Sequence, residues 1–419
     1  MTHSIDCGLV PQARRWAGPV ATAAASVSPK IAFAILILFL LVLYSNVAIA
    51  YPQLAELRPA LVVGMASLFM LIVELAKTRQ SFRLSMPQGI LLIAFLGACF
   101  VSSFTAFWPR YAFGKTADVA KIVVIYIVIE NTVTSVGQFR TILTTMVLGG
   151  LFPAIGTLHH YAYGILRQGR ATWIGVFANA NEDAYSLVIL IPIALALAVE
   201  SGWWMRLVFG VIIATYLVAI FVTYSRGGLL GLLAVLAFAG WKQKSLMLRG
   251  LMMAGFAALP VVVGMYWQRG EGFSDIRRDT TVNQRIATMR AGIRMFEANP
   301  LLGIGPACSL FAYPIYVPPE DHCGCEQQLV VHNTFVQVLS EVGMLGFIPF
   351  MSFLGISLLQ VRQMQKGVLG TYNAAIEVAL WGFMVCSLSG GFTYTWWPYL
   401  LIALAMAAKQ ISRPDVFEH

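Results

Sequence analysis

One imidazole and two guanidinium groups stand out as chemistry waiting for a substrate. His332 could take a proton, since imidazole is the side chain whose unperturbed pKa suits proton abstraction near neutral pH. A sugar hydroxyl acting as nucleophile needs such a base, because it ionises poorly in water. His332 opens an apolar run in which Asn333, Gln337, Ser340 and Glu341 fall within about 80° of one another at about 100° per residue. A polar stripe with a carboxylate inside a membrane segment is a functional-site hypothesis by default. The plainer alternatives are a helix cap or interfacial anchor for His332, and close helix packing for Gly343 and Gly346.

Arg226 sits in the turn Thr223-Tyr224-Ser225-Arg226-Gly227-Gly228, where a planar, permanently charged fork could meet a phosphate. A snorkelling arginine is the alternative. Arg285 begins an amphipathic helix after Asn283 whose apolar face is Ile286, Met289, Ile293 and Phe296. That helix is expected on or beside the membrane. Arg290, Arg294 and Glu297 lie on its opposite side, so one helix cannot aim all three arginines at one ligand. Arg285, near the free N–H groups of the helix start, is the one expected to enter a site. Supporting candidates are Asn333, Glu341 and Arg290, together with Asn179 and Asn181, just before Glu182-Asp183, and Lys115 and Lys121; helix capping and snorkelling explain the asparagines and lysines equally well. Adjacent carboxylates diverge in a helix or a strand, which argues against a two-carboxylate hydrolase. His159 and His160 point about 100° apart and lack an i+4 partner, so they read as structural and no metal is expected.

These residues need a scaffold, and composition supplies its class. The chain has 419 residues, 58% of them hydrophobic and 11% charged, far from the roughly 25% charged of soluble domains. The reading is an all-α polytopic membrane protein of about twelve transmembrane helices. The net charge of +9 is scattered through short loops, which suits anionic lipids and excludes a nucleic-acid stripe. The expected layout is a cytoplasmic segment 1–30, nine spans over 31–267, an external loop over 268–332, three spans over 333–409 and a cytoplasmic tail 410–419. The Lys/Arg bias of the short loops puts both termini inside and the long loop outside. There, Cys308 could bridge Cys323 or Cys325, or all three could be free thiols.

The chain resembles the bacterial O-antigen ligases, which share a superfamily with O-antigen polymerases and pilin oligosaccharyltransferases. His332-Asn333, nine residues, then Gly343-x-x-Gly346 matches the signature of the last large periplasmic loop. Ser225-Arg226-Gly227-Gly228 matches the turn after a mid-chain span. Asn283-Gln284-Arg285 through Pro300-x-x-Gly303-x-Gly305 matches the segment with an arginine before a Pro-x-x-Gly-x-Gly turn. Gly175 to Asn181 resembles the asparagine loop, with Ala180 in place of the usual proline. The resemblance implies a GT-C-like architecture in the bacterial inner membrane with its site facing the periplasm. It also implies metal-independent, inverting transfer of a glycan from undecaprenyl diphosphate to lipid A–core, without a cofactor. His332 would be the base, with Arg226 and Arg285 on the diphosphate. A polymerase or protein ligase would use the same donor. A transporter of anionic lipid would also have many spans and intramembrane charge, but here the polar residues gather at one membrane face.

Overall fold

The computed structural model describes residues 29–266, 280–321 and 328–412. Cys323, Cys325, residues 1–28 of the expected cytoplasmic segment, the start of the long loop and the tail from residue 413 lie outside the described residues. The described chain is all α: α1 (Lys30–Ser45), α2 (Val47–Ala50), α3 (Pro59–Thr78), α4 (Gln88–Phe104), α5 (Pro109–Thr132), α6 (Val136–Gly149), α7 (Leu151–Ala162), α8 (Ala180–Val199), α9 (Trp203–Val222), α10 (Arg226–Lys242), α11 (Leu246–Tyr266), α12 (Thr280–Ala298), α13 (Ser309–Tyr316), α14 (Thr334–Gln363), α15 (Gly370–Ser387) and α16 (Trp397–Ile411).

Among the described residues five helical stretches, and not about twelve, are long and apolar enough to cross a membrane: Pro59–Thr78, Val136–Ala162 (α6 running on into α7), Ala180–Val199, Trp203–Val222 and Thr334–Gln363. Apolar runs alone overcounted for physical reasons. α1, α4 and α16 have 16, 17 and 15 residues, which at about 1.5 Å per residue fall short of a ~30 Å hydrocarbon core. α5 has the length but carries Arg110, Lys115, Asp118, Lys121 and Glu130. The last of the three spans expected over 333–409 yields a helix only from Trp397, because the residues just before it form a loop. The chain is nonetheless multi-pass by these five helices.

α8 is the buried axis, packed by α6, α9, α10 and α15. Three helices that carry candidate residues start on side-chain caps at the same end of the bundle: Asn179 for α8, Ser225 for α10 and Asn333 for α14. A capping oxygen satisfies N–H groups that have no partner within the helix. α12 and α13 form a lid over that end, docked on α14.

The docking depends on a break in α14. Gly343 has φ 63° and ψ −166°, a region essentially restricted to glycine. The break frees backbone groups on both sides of it, and the turn 300–305 pairs with them. Ile304 N–H donates to Ser340 O at 3.0 Å, Gly305 N–H to Glu341 O at 2.9 Å and Met344 N–H to Pro300 O at 2.9 Å. A Cβ on Gly343 would stand 2.3 Å from Leu301 O. Gly343 is therefore not a helix-packing residue in the expected sense, since it ends one helical segment and starts another, whereas Gly346 is buried in the second segment, where a Cβ would meet Val342 and approach Ala98 of α4. Gly343→Ala should cost about 1–3 kcal/mol or more from strain alone, read as a lowered thermal midpoint of the purified protein. Gly250→Ala, whose Cβ meets nothing within 4 Å, should leave that midpoint nearly unchanged.

Candidate functional site

The asparagine loop and the Arg226 turn are tied together by a residue that belongs to neither motif. Arg170, 9% exposed, donates from Nε to Thr223 O and from one terminal nitrogen to Asn181 Oδ1, both at 2.8 Å. Ser225 Oγ donates to the same Asn181 oxygen at 2.8 Å and accepts from Gly228 N–H at 3.1 Å. Asn181 thus holds the Arg226 turn in place through its carbonyl oxygen. Asn179 caps α8, accepting from Asn181 N–H at 2.9 Å.

One helical turn beyond Asn181, Tyr185 faces the same region. Its hydroxyl pairs with Ser389 Oγ at 2.9 Å, and a Cβ on Gly227 would fall 1.9 Å from it. Glycine lets the Arg226 turn lie directly against this tyrosine. Arg285 is near enough to act electrostatically on both Tyr185 and His332. Three separate segments, carrying Arg226, Arg285 and His332, therefore converge around Tyr185. The i+4 spacing from Asn181 was a signal for Tyr185; Ser389 had none.

His332 is half-buried, and burial, then the positive charge of Arg285, push its imidazole down to about 4. It stays neutral at physiological pH. Asn333 serves as a cap: Oδ1 accepts from Phe335 and Val336 N–H at 3.0 and 3.1 Å, while Nδ2 donates to Leu388 O at 3.3 Å. Glu341 is fully buried. It accepts from Ser309 Oγ at 2.5 Å, Tyr394 hydroxyl at 2.6 Å and Ala307 N–H at 2.9 Å. Gln337 Oε1 accepts from Thr393 Oγ1 at 2.9 Å. The polar stripe of α14 therefore fastens the lid turn and the loop 388–396 to the bundle, and Glu341 does not face open space.

Along α12 the buried side is Ala287, Thr288, Ala291 and Met295, while Ile286, Met289 and Ile293 are exposed beside it. Small residues let α12 approach α14: a Cβ on Gly292 would be 2.8 Å from Val336. Arg285 is half-buried, whereas Arg290 and Arg294 are exposed. Arg290 pairs with Asp321 at 3.2 Å, an anchor within the lid. Lys115 and Lys121 both bridge Asp118, at 3.1 and 2.9 Å, and the Lys115 ammonium stands 6.0 Å from the Tyr394 ring centre.

Asp183 is buried and accepts from Thr157 Oγ1 at 2.5 Å while Glu182 is half-exposed, so the adjacent carboxylates do diverge. His160 Nδ1 lies 2.6 Å from Thr172 O, and His159 packs on Tyr163. Among the described residues no three His, Cys, Asp or Glu side chains group to hold a metal ion. Cys308 is a buried free thiol pushed up to about 11 by burial and the Glu341 charge.

Residues 209–351 match the O-Antigen ligase family. That stretch runs from α9 through the Arg226 turn and the lid to the broken α14. The chain is also 25% identical over 232 residues to the exopolysaccharide production protein ExoQ of Rhizobium meliloti (strain 1021), covering 50% of this chain and 52% of that protein. The match thus spans about half the length of the curated relative. Together the two matches point to the broad O-antigen ligase/polymerase superfamily, without singling out one of its members.

Proposed function

We propose that the protein transfers a glycan from a polyprenyl (undecaprenyl) diphosphate carrier to a hydroxyl of lipid A–core, without metal, at a site facing the periplasm. The observation that carries this reading is the convergence of the Arg226 turn, Arg285 and His332 around Tyr185. The diphosphate lies between Arg226 and Arg285, whose fixed charge stabilises the leaving group as it departs. His332 takes the proton of the acceptor hydroxyl as its oxygen bonds to the anomeric carbon. The bond from that carbon to the diphosphate oxygen breaks, and the electron pair leaves with polyprenyl diphosphate. Attack from the opposite face inverts the configuration.

An imidazole at about 4 is a weak base before a donor binds. Seating a diphosphate against Arg285 offsets the charge that depresses it and raises its basicity when the nucleophile must be activated. A second reading, chain extension rather than ligation, is favoured by the name of the matching relative, an exopolysaccharide production protein. Donor and catalytic groups are the same in both.

Purified protein given polyprenyl-diphosphate glycan with core lipopolysaccharide, a pilin, or no acceptor, in EDTA, separates these outcomes. Product on core lipid alone supports ligation, and chain extension without core supports polymerisation. His332→Ala should lower transfer by roughly 10²–10⁴-fold with donor binding retained; near-wild-type turnover would remove His332 as the base. Arg226→Ala and Arg285→Ala should each raise the donor KM roughly ten- to a hundredfold, while Arg294→Ala should change it less than about twofold. In pH terms, kcat/KM should stay flat as pH falls from neutral and decline only near 4. Stability follows the same sign: between about 6.5, the unfolded value, and about 4, the unfolded state binds more protons. Stability from this group is complete above about 6.5 and is lost toward 4. A melting series of wild type against His332→Gln over that range measures it.

A further inference from the structure

A cavity of about 780 Å³ lies between α1, α3 and α5, closed on one side by Tyr394, Trp396 and Tyr399. Arg226, Arg285 and His332 do not line it. Its walls are mostly aliphatic and aromatic, but its mouth carries three cations, Arg58, Lys115 and Lys121, against the single carboxylate of Asp118. The mouth is at the lid end, since Tyr394 lines the cavity and also hydrogen-bonds Glu341 and Ala307 N–H. Two polar atoms that line the cavity are buried without a hydrogen-bond partner among the described residues: Asn46 Nδ2 and the hydroxyl of Tyr126, a residue 1% exposed.

Length identifies the occupant. From Lys115 to Tyr126 the cavity follows α5 for ~16 Å at about 1.5 Å per residue. That is about half of a ~30 Å hydrocarbon core, the depth of one leaflet. An acyl chain of the bilayer fits it, whereas a long polyprenyl chain outruns it. The volume is within the usual range for ligand cavities. The net positive mouth selects an anionic head over a zwitterionic one, because a phosphate without its own ammonium leaves a charge for Arg58 and the lysines to meet.

We propose that this cavity is a binding site for an acidic phospholipid, its phosphate at Arg58, Lys115 and Lys121 and one acyl chain lying along α5. Asn46 donates to the head-group or ester oxygens at the mouth. Because Tyr394 contacts both the cavity and the lid, the lipid buttresses the face on which the lid turn rests. The site is separate from the transfer site proposed above.

The test uses the full chain in phosphatidylethanolamine nanodiscs, titrated with fluorescent phosphatidylglycerol without glycan donor or acceptor. Saturable binding of one lipid per chain is expected, displaced by unlabelled phosphatidylglycerol and not by further phosphatidylethanolamine. Arg58→Gln with Lys121→Gln should weaken it about tenfold or more, and Met65→Trp, which fills the cavity part-way along the chain, should remove it. Both variants are read at native-like melting, and the wild-type competition needs no variant. Equal displacement by phosphatidylethanolamine, or unchanged affinity in both variants, would overturn the proposal. Displacement by equimolar polyprenyl diphosphate would also overturn it and give the cavity to the donor. Since no transfer is measured, failure here and failure of the transferase reading are distinguishable.

Discussion

The break at Gly343 is the constraint on which the rest of the site depends. An unbroken helix has no spare backbone groups at its middle, and an apolar helix has nothing polar to offer a neighbouring turn. By leaving the helical region at one residue, α14 exposes the carbonyls of Ser340 and Glu341 and the N–H of Met344 to the turn 300–305. Ser340, Glu341, Ile304 and Gly305 are buried, and there an unmet donor or acceptor is costly. The lid is thereby fixed in register. Glu341 adds a side-chain clamp to the same junction, gathering Ser309, Ala307 and Tyr394.

This junction sets the electrostatics. α12 runs into the fixed turn, so the docking of 300–305 determines which side of α12 meets α14. Arg285 is turned inward toward His332 and Tyr185, and Arg290 outward to Asp321. On the other flank, Arg170, Asn181 and Ser225 form a second polar knot that fixes the Arg226 turn. Each knot joins segments far apart in the chain, and neither includes a group that must move for the other to hold.

Some of this was readable from spacing. The helical register from 280 to 298 separates Arg285 from Arg290 and Arg294 by rotation alone. The cap at Asn179 follows from residue type before an apolar run, and the divergence of Glu182 from Asp183 follows from their adjacency, whereas the cap of α14 falls on Asn333 and not on His332. Other features were misread for identifiable reasons. Counting apolar runs neglected helix length and interior charge, hence about twelve expected spans against five helices that meet both conditions. The Trp396–Trp397 pair faces inward: Trp397 is 2% exposed, and the half-buried Trp396 packs edge-on against Tyr44 with ring centres 4.7 Å apart. The stripe on α14 was recognised as polar, but its role as a fastening for the lid was not.

By itself the sequence determined the all-α membrane class and the rotation that separates Arg285 from Arg290 and Arg294 along α12, because those follow from composition and a fixed period of about 3.6 residues per turn. Tertiary structure decided which side chains meet. Arg170 reaches Thr223 across 53 positions and Asn181 across 11; Tyr394 reaches Glu341 across 53. No local period encodes such contacts. They arise when the chain must pair every buried polar group with whatever partner the packing brings within about 3 Å.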